Sequence, residues 1–181
     1  MRRFIGIVVL VVVVAVAGVL AYAATKPDAF RVERSIAIKA PPEKVLALVG
    51  DLRGWTAWSP YEKKDPAMKR AYAGSAAGKG AVYEWDGNKE VGRGRMEILE
   101  AGPSKVLIKL DFISPFEAHN TAEFTAVPQG ENTNVTSTVT WAMYGPSPYF
   151  AKVMHTVIDM DKMVGRDFEA GLQSLKAVAE K

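Results

Sequence analysis

FRVERSIAIKAPPEKVLALVGDLRGWTAWSP, residues 30–60, changes its periodicity twice, and the order of those changes decides the fold. From Phe30 to Lys39, Val32, Arg34, Ile36 and Ile38 alternate with Arg31, Glu33, Ser35 and Lys39, the period-two pattern of a strand. Ala40-Pro41-Pro42-Glu43 then places proline where a helix starts, because the first turn has no use for the missing N–H. Val45, Leu46, Leu48 and Val49 give that helix an apolar face, which ends at Gly50. Asp51-Leu52-Arg53-Gly54-Trp55 leads into Trp58-Ser59-Pro60-Tyr61, where glycine and proline break the chain into a second short helix or turn.

Downstream, strand-like runs follow at residues 69–73, 80–86, 92–100, 105–113, 117–127 and 134–144. Asp86-Gly87-Asn88, Ala101-Gly102-Pro103 and Gln129-Gly130-Glu131-Asn132 separate several of them as hairpin turns. Ser147 is placed to cap, and Pro148 to open, one long helix with the stripe Phe150, Val153, Val157, Met160, Val164, Phe168, Leu172 and Leu175. The order predicts an α+β fold: a curved antiparallel sheet of about seven strands, one face covered by the C-terminal helix.

Upstream, residues 4–24 carry no charge, and at about 1.5 Å per residue they make a helix of roughly 30 Å, the thickness of a bilayer's hydrocarbon. Arg2 and Arg3 precede this run and only Lys26 follows, so the positive-inside rule places the domain on the extracytoplasmic, periplasmic side. Ala21-Tyr22-Ala23 before Ala24 also has the small-x-small form of a signal-peptide cleavage site, which would give a released protein. The apolar run exceeds the usual signal core of about 7–15 residues, which favours retention. The reading is an anchor or signal peptide at 1–25, a linker at 26–29 and one domain at 30–181.

The chain has 23 basic and 20 acidic side chains, and its basic excess lies wholly in Arg2, Arg3 and Lys26. Residues 27–181 are therefore neutral overall, with no Lys/Arg run of the kind that neutralises phosphates, and nucleic acid is excluded as a partner. A neutral domain with its own core pattern is expected to be monomeric. Cysteine is absent, which excludes disulfides, thiol nucleophiles and Cys-ligated metals. His119 and His155 stand far apart with no paired spacing, so neither metal nor cofactor is expected. Gly-Pro-Ser at 102–104 and 145–147 is not a nucleophile elbow, and Gly78-Lys79-Gly80 and Gly92-Arg93-Gly94 read as turn and bulge glycines, not phosphate loops.

The stretches Ile36–Val45, Leu52–Pro60, Gly80–Trp85 with Gly92-Arg93-Gly94, and Asn134–Thr136 through Thr140-Trp141 resemble the SRPBCC (START/Bet v 1-like) superfamily, in its polyketide cyclase/dehydrase-like branch. The resemblance spans nearly all of residues 30–181 and implies a helix-grip fold with a cavity between sheet and C-terminal helix. It implies no single reaction, because the superfamily hosts lipid carriers, hormone receptors, cyclases and oxygenase subunits. The oxygenase branch would need clustered iron ligands, which this chain does not offer.

Strand parity proposes what would line such a cavity. Val135, Ser137, Val139, Trp141 and Met143 share one face, and Val106, Ile108, Leu110 and Phe112 another. Asn120, Ala122, Phe124 and Ala126, and Gly92, Gly94, Met96 and Ile98, do likewise, with Tyr83 and Trp85 beside them. The candidate ligand-binding residues are Tyr83, Trp85, Met96, Asn120, Phe124, Trp141 and Met143. Trp55 and Trp58 at the mouth, and Met154 and Met160 as adaptable wall, complete the set. The same residues also suit a filled core. Asn120, the strongly polar inward side chain, either orients a ligand or bonds a neighbouring loop. His119, Glu84, Glu97 and Glu123 alternate outward, so no carboxylate pair is placed for acid–base work and no catalytic residue is assigned. A membrane-tethered binding module for a hydrophobic small molecule or lipid ranks first, ahead of a cyclase/dehydrase-type enzyme and of a non-catalytic envelope scaffold.

Overall fold

The period-two runs become strands in the computed structural model, which describes residues 2–129 and 135–181. They are β1 (Ala29–Ile38), β2 (Lys69–Gly74), β3 (Ala81–Asp86), β4 (Arg93–Ala101), β5 (Lys105–Ser114), β6 (Ala118–Gln129) and β7 (Thr136–Pro146). Together they form one seven-stranded antiparallel sheet in the order β1-β7-β6-β5-β4-β3-β2. Between the first two strands lie α2 (Pro42–Gly50), a 3-10 helix (Leu52–Ala57) and α3 (Pro60–Lys64). The remaining helices are α1 (Arg2–Ala24), α4 (Tyr149–Val157) and α5 (Met160–Ala179). Gly130, Glu131 and Asn132 of the last hairpin turn, and Asn134 at the start of the 134–144 run, lie outside the described residues.

The chain divides into two compact units: residues up to Phe30 with Pro146–Met160, and Arg31–Gly145 with Asp161–Lys181. In the larger unit, alternation is the reason a sheet forms with one apolar face: Val106, Ile108, Ala122, Phe124, Ala126 and Val139 are buried, while their neighbours in sequence are more exposed, and Trp141 is buried on the same face. α5 covers that face. The Phe168 ring lies flat on Trp141, centroids 4.1 Å apart at 11°, and Val164, Leu172 and Leu175 are buried along the same stripe. Gly171 permits the close approach, since a Cβ there would come 2.6 Å from the Trp141 ring and 2.9 Å from Pro60. Around the edge, Arg34 of β1 donates to Asp161 at 2.8 and 3.0 Å and to Glu169 at 2.8 Å, and Lys64 pairs with Asp167 at 2.6 Å. Such solvent-accessible pairs orient α5 against β1 and α3 more than they stabilise it.

In the smaller unit, α1 includes 21 residues, Phe4–Ala24, of mean hydropathy 3.2. It is long and apolar enough to cross a membrane, a property that signal sequences share. Beside it, Tyr149 Oη of α4 donates to the Leu20 carbonyl at 2.9 Å, Lys152 Nζ pairs with Asp28 at 2.5 Å, and the Ser147 amide donates to the Asp28 carbonyl at 2.7 Å.

Three local expectations are corrected. The C-terminal helix is not continuous from Ser147: α4 stops at Val157, Ile158 is extended (φ −109°, ψ 120°), and α5 restarts at Met160. Asp159, a residue type that favours the position before a helix, stands at the restart. The stripe is therefore divided between two helices, and Phe150 and Val157 on the first are 61% and 80% exposed. The cap residue of α4 is Pro148, not Ser147. Gly92 precedes β4 at φ +63°, where a Cβ would strike the Ser114 carbonyl, so it serves the turn and not the inner face.

Candidate functional site

Register turns the inner face of the sheet into transverse rows. One row runs Val106, Phe124, Trp141; the next Ile98, Ile108, Ala122, Met143; the next Tyr83, Met96, Leu110, Asn120; and the last Trp85, Gly94, Phe112, Ala118. The first two rows are closed. Trp141 stacks on Phe168 and, at 4.8 Å, on Phe124, and Trp55 and Trp58 meet both Phe124 and Trp141 edge-on at 5.8–6.5 Å. These five rings are between 0% and 4% exposed, a packed aromatic core at this end of the face. The Trp55 indole donates to the Val49 carbonyl at 2.8 Å, whereas the Trp58 and Trp141 indoles have no acceptor among the described residues.

The third row behaves differently. Met96 and Asn120 are buried, yet Leu110, which lies between them on the middle strand, is partly exposed, as is Phe112 in the row below. A side chain at the centre of a sheet that is more exposed than the neighbours on either side shows where the inner face is less covered, an opening in that sense. Around this opening stand Trp85, T-shaped to Phe112 at 5.8 Å, the Asn120 carboxamide, and Gly145. A Cβ on Gly145 would come 2.3 Å from Asn120 Oδ1, so glycine there is what admits the amide.

A charged cluster adjoins the row at Tyr83. Tyr83 Oη donates to Glu62 Oε1 at 2.7 Å, and Arg70 holds Glu62 Oε2 through Nη2 at 2.7 Å and Nε at 2.8 Å. Glu62 is buried and the Tyr72 ring stacks on Tyr83 at 5.1 Å, with Arg53 over the Tyr72 face. Burial and the bond to Glu62 push the Tyr83 hydroxyl well above the ordinary tyrosine range, so it stays a donor. Burial, then the nearby Asp167 charge, raises Tyr61 in the same sense. Tyr83→Phe is expected to cost about 1.5–3 kcal/mol, because it leaves one Glu62 oxygen without its donor. Thermal unfolding of the two proteins side by side checks it, and an unchanged midpoint would show the bond to be inert.

Of the residues singled out in the sequence, Trp55, Trp58, Phe124 and Trp141 gather in the closed aromatic core. Tyr83, Trp85, Met96, Asn120 and Met143 lie in the rows at and beside the opening. Met154 and Met160 belong to the smaller unit. His119 is on the outer face, 63% exposed and 2.7 Å from Asp111, whose hydrogen bond raises its pKa. Burial lowers that of His155, which packs edge-on against Phe30 at 6.0 Å. Sequence reasoning placed Leu110 and Phe112 inward without marking them, and it missed Glu62 and Arg70. Nothing in the periodicity of a five-residue helix says which way Glu62 points.

One antiparallel sheet whose apolar face receives a long C-terminal helix defines an α+β protein of the helix-grip class. The chain belongs to the SRPBCC family described as polyketide cyclase / dehydrase and lipid transport, whose pattern it matches over residues 29–180. None of the curated proteins matches it in sequence. Among solved structures it is similar to a Thermobifida fusca protein, at 20% identity over 82% of this chain and 92% of that one, TM-score 0.57. The Zhui aromatase/cyclase from Streptomyces sp. R1128 matches at 15% identity over 84% and 94%, TM-score 0.54. Truncated norcoclaurine synthase from Thalictrum flavum matches at 9% identity over 83% and 92%, TM-score 0.56. At these identities the likeness establishes the fold.

Proposed function

We propose that this protein is a membrane-tethered binding module that holds a hydrophobic small molecule or lipid against the inner face of its sheet. The observation that carries the reading is the opening over Leu110, apolar on most sides and supplied with one amide, Asn120. That composition suits a ligand that is mainly hydrocarbon with one polar end. The family description, which includes lipid transport, agrees with it. The apolar α1 and the arginines before it support a retained anchor with the domain outside the cytoplasm.

A cyclase-type reaction on the same ligand class is the second reading, favoured by the Glu62–Tyr83 pair. Against it, both Glu62 oxygens are already engaged, by Arg70 and by Tyr83, and the Tyr83 hydroxyl is held as a donor. Binding is accordingly preferred.

Leu110→Trp, at a partly exposed site, is expected to fill the opening: saturable binding of parinaric acid, a fluorescent long-chain fatty acid, should weaken at least about tenfold. Destabilisation should stay below about 1.5 kcal/mol, since the added ring enters open space and not packed core. Unaltered binding, or no saturable binding by the unmodified protein, would remove the proposal.

A further inference from the structure

α4 wears its polarity inside out. Phe150, Val153, Met154 and Val157 fall at helical spacings i, i+3, i+4 and i+7 and so share one face. At the two ends of that face Phe150 is 61% and Val157 80% exposed, and Tyr149 and Ile158 beside them are 49% and 38% exposed. The one charged side chain of the helix, Lys152, is turned the other way, buried and paired with Asp28. A helix on an aqueous surface would show the lysine and bury the apolar stripe.

The position of α4 along α1 says what the stripe meets. Tyr149 Oη donates to the carbonyl of Leu20, four residues before α1 ends at Ala24. At about 1.5 Å per residue the Tyr149 hydroxyl reaches roughly 6 Å below the end of α1, while Ser147 and Lys152 bond Asp28 just beyond that end, so the start of α4 lies at the level of α1's last turns. If α1 spans a bilayer, that is the depth of the boundary between headgroups and acyl chains, where amphipathic helices lie with their apolar face sunk by about 5–10 Å.

We infer that α4 is an interfacial docking helix, and that Phe150, Val157 and Ile158 enter the outer edge of the same bilayer that α1 crosses. This rests on the reading of α1 as a retained span. Its consequence for function is positional: the helix meets the membrane beside the anchor, so the protein engages lipid at a second point instead of hanging from a flexible tether.

The chain has no cysteine, so single replacements report one site each. Phe150→Cys, Val157→Cys, Val13→Cys within α1 and Glu84→Cys on the outer face of the sheet would each be labelled with an environment-sensitive nitrobenzoxadiazole dye. The full-length chain is then reconstituted in phosphatidylcholine–phosphatidylglycerol vesicles whose lipids carry a nitroxide either near the headgroup or near the acyl terminus. The expected result is loss of emission at positions 150 and 157 with the shallow nitroxide, loss at 13 with the deep one, and none at 84. Quenching at 13 with 150 and 157 as unquenched as 84 overturns the docking inference while keeping the anchor, and leaves the stripe to a protein partner. Quenching at 150 and 157 without 13 overturns the inference as well, because α1 then does not cross the bilayer that the stripe enters; no quenching anywhere removes both. Both reporter positions are well exposed, so the two labels do not depend on repacking a core.

Discussion

Phe168→Ala is expected to lower the unfolding free energy by about 3–5 kcal/mol. The ring is 1% exposed and lies 4.1 Å from Trp141, in the contact that joins α5 to the sheet. Its removal takes away both apolar transfer energy and a stacked partner, and it leaves a void bounded by rings that cannot collapse into it. Urea titration of the detergent-solubilised full-length chain, followed by tryptophan emission, gives the value. A loss below about 1 kcal/mol would mean that α5 is not the closing element of this core.

Arg70→Leu is the second large effect, expected at about 3 kcal/mol or more. The Glu62 side chain is 5% exposed, and without Arg70 it stays in that site as a carboxylate held by Tyr83 alone. The sign depends on which partner is left. Replacing both, as Glu62→Met with Arg70→Leu, is expected to recover most of the loss, because no uncompensated charge then remains buried. The same urea titration on both variants decides it, and a double variant no more stable than the single one would show that the cluster contributes through shape and not charge.

The strands were legible because they keep period-two alternation over most of their length, broken in β7 where Trp141, Ala142 and Met143 are all buried, and because the turns between them carry glycine or proline. The division of the C-terminal helix was not. The stripe Phe150, Val153, Val157 and the stripe Val164, Phe168, Leu172 fit one helical spacing, and only Asp159 hints at a restart. Parity likewise faced Leu110 and Phe112 inward, as found, but whether an inward side chain is sealed depends on what lies above it. For Trp141 that is Phe168, a residue far along the chain; no local pattern carries such information. Glu62 escaped for the same reason, since its partners Arg70 and Tyr83 come from two strands.

The most direct test of the binding site is photolabelling of the full-length chain in lipid nanodiscs with a long-chain fatty acid bearing a diazirine, followed by peptide mass spectrometry. Adducts are expected on Leu110, Phe112, Asn120 or Met143, and excess parinaric acid should suppress them while leaving labelling of α1 unchanged. Labelling confined to α1 and α4, or spread over outer-face residues such as Thr121 and Thr125 without competition, would contradict a ligand site on the inner face of the sheet.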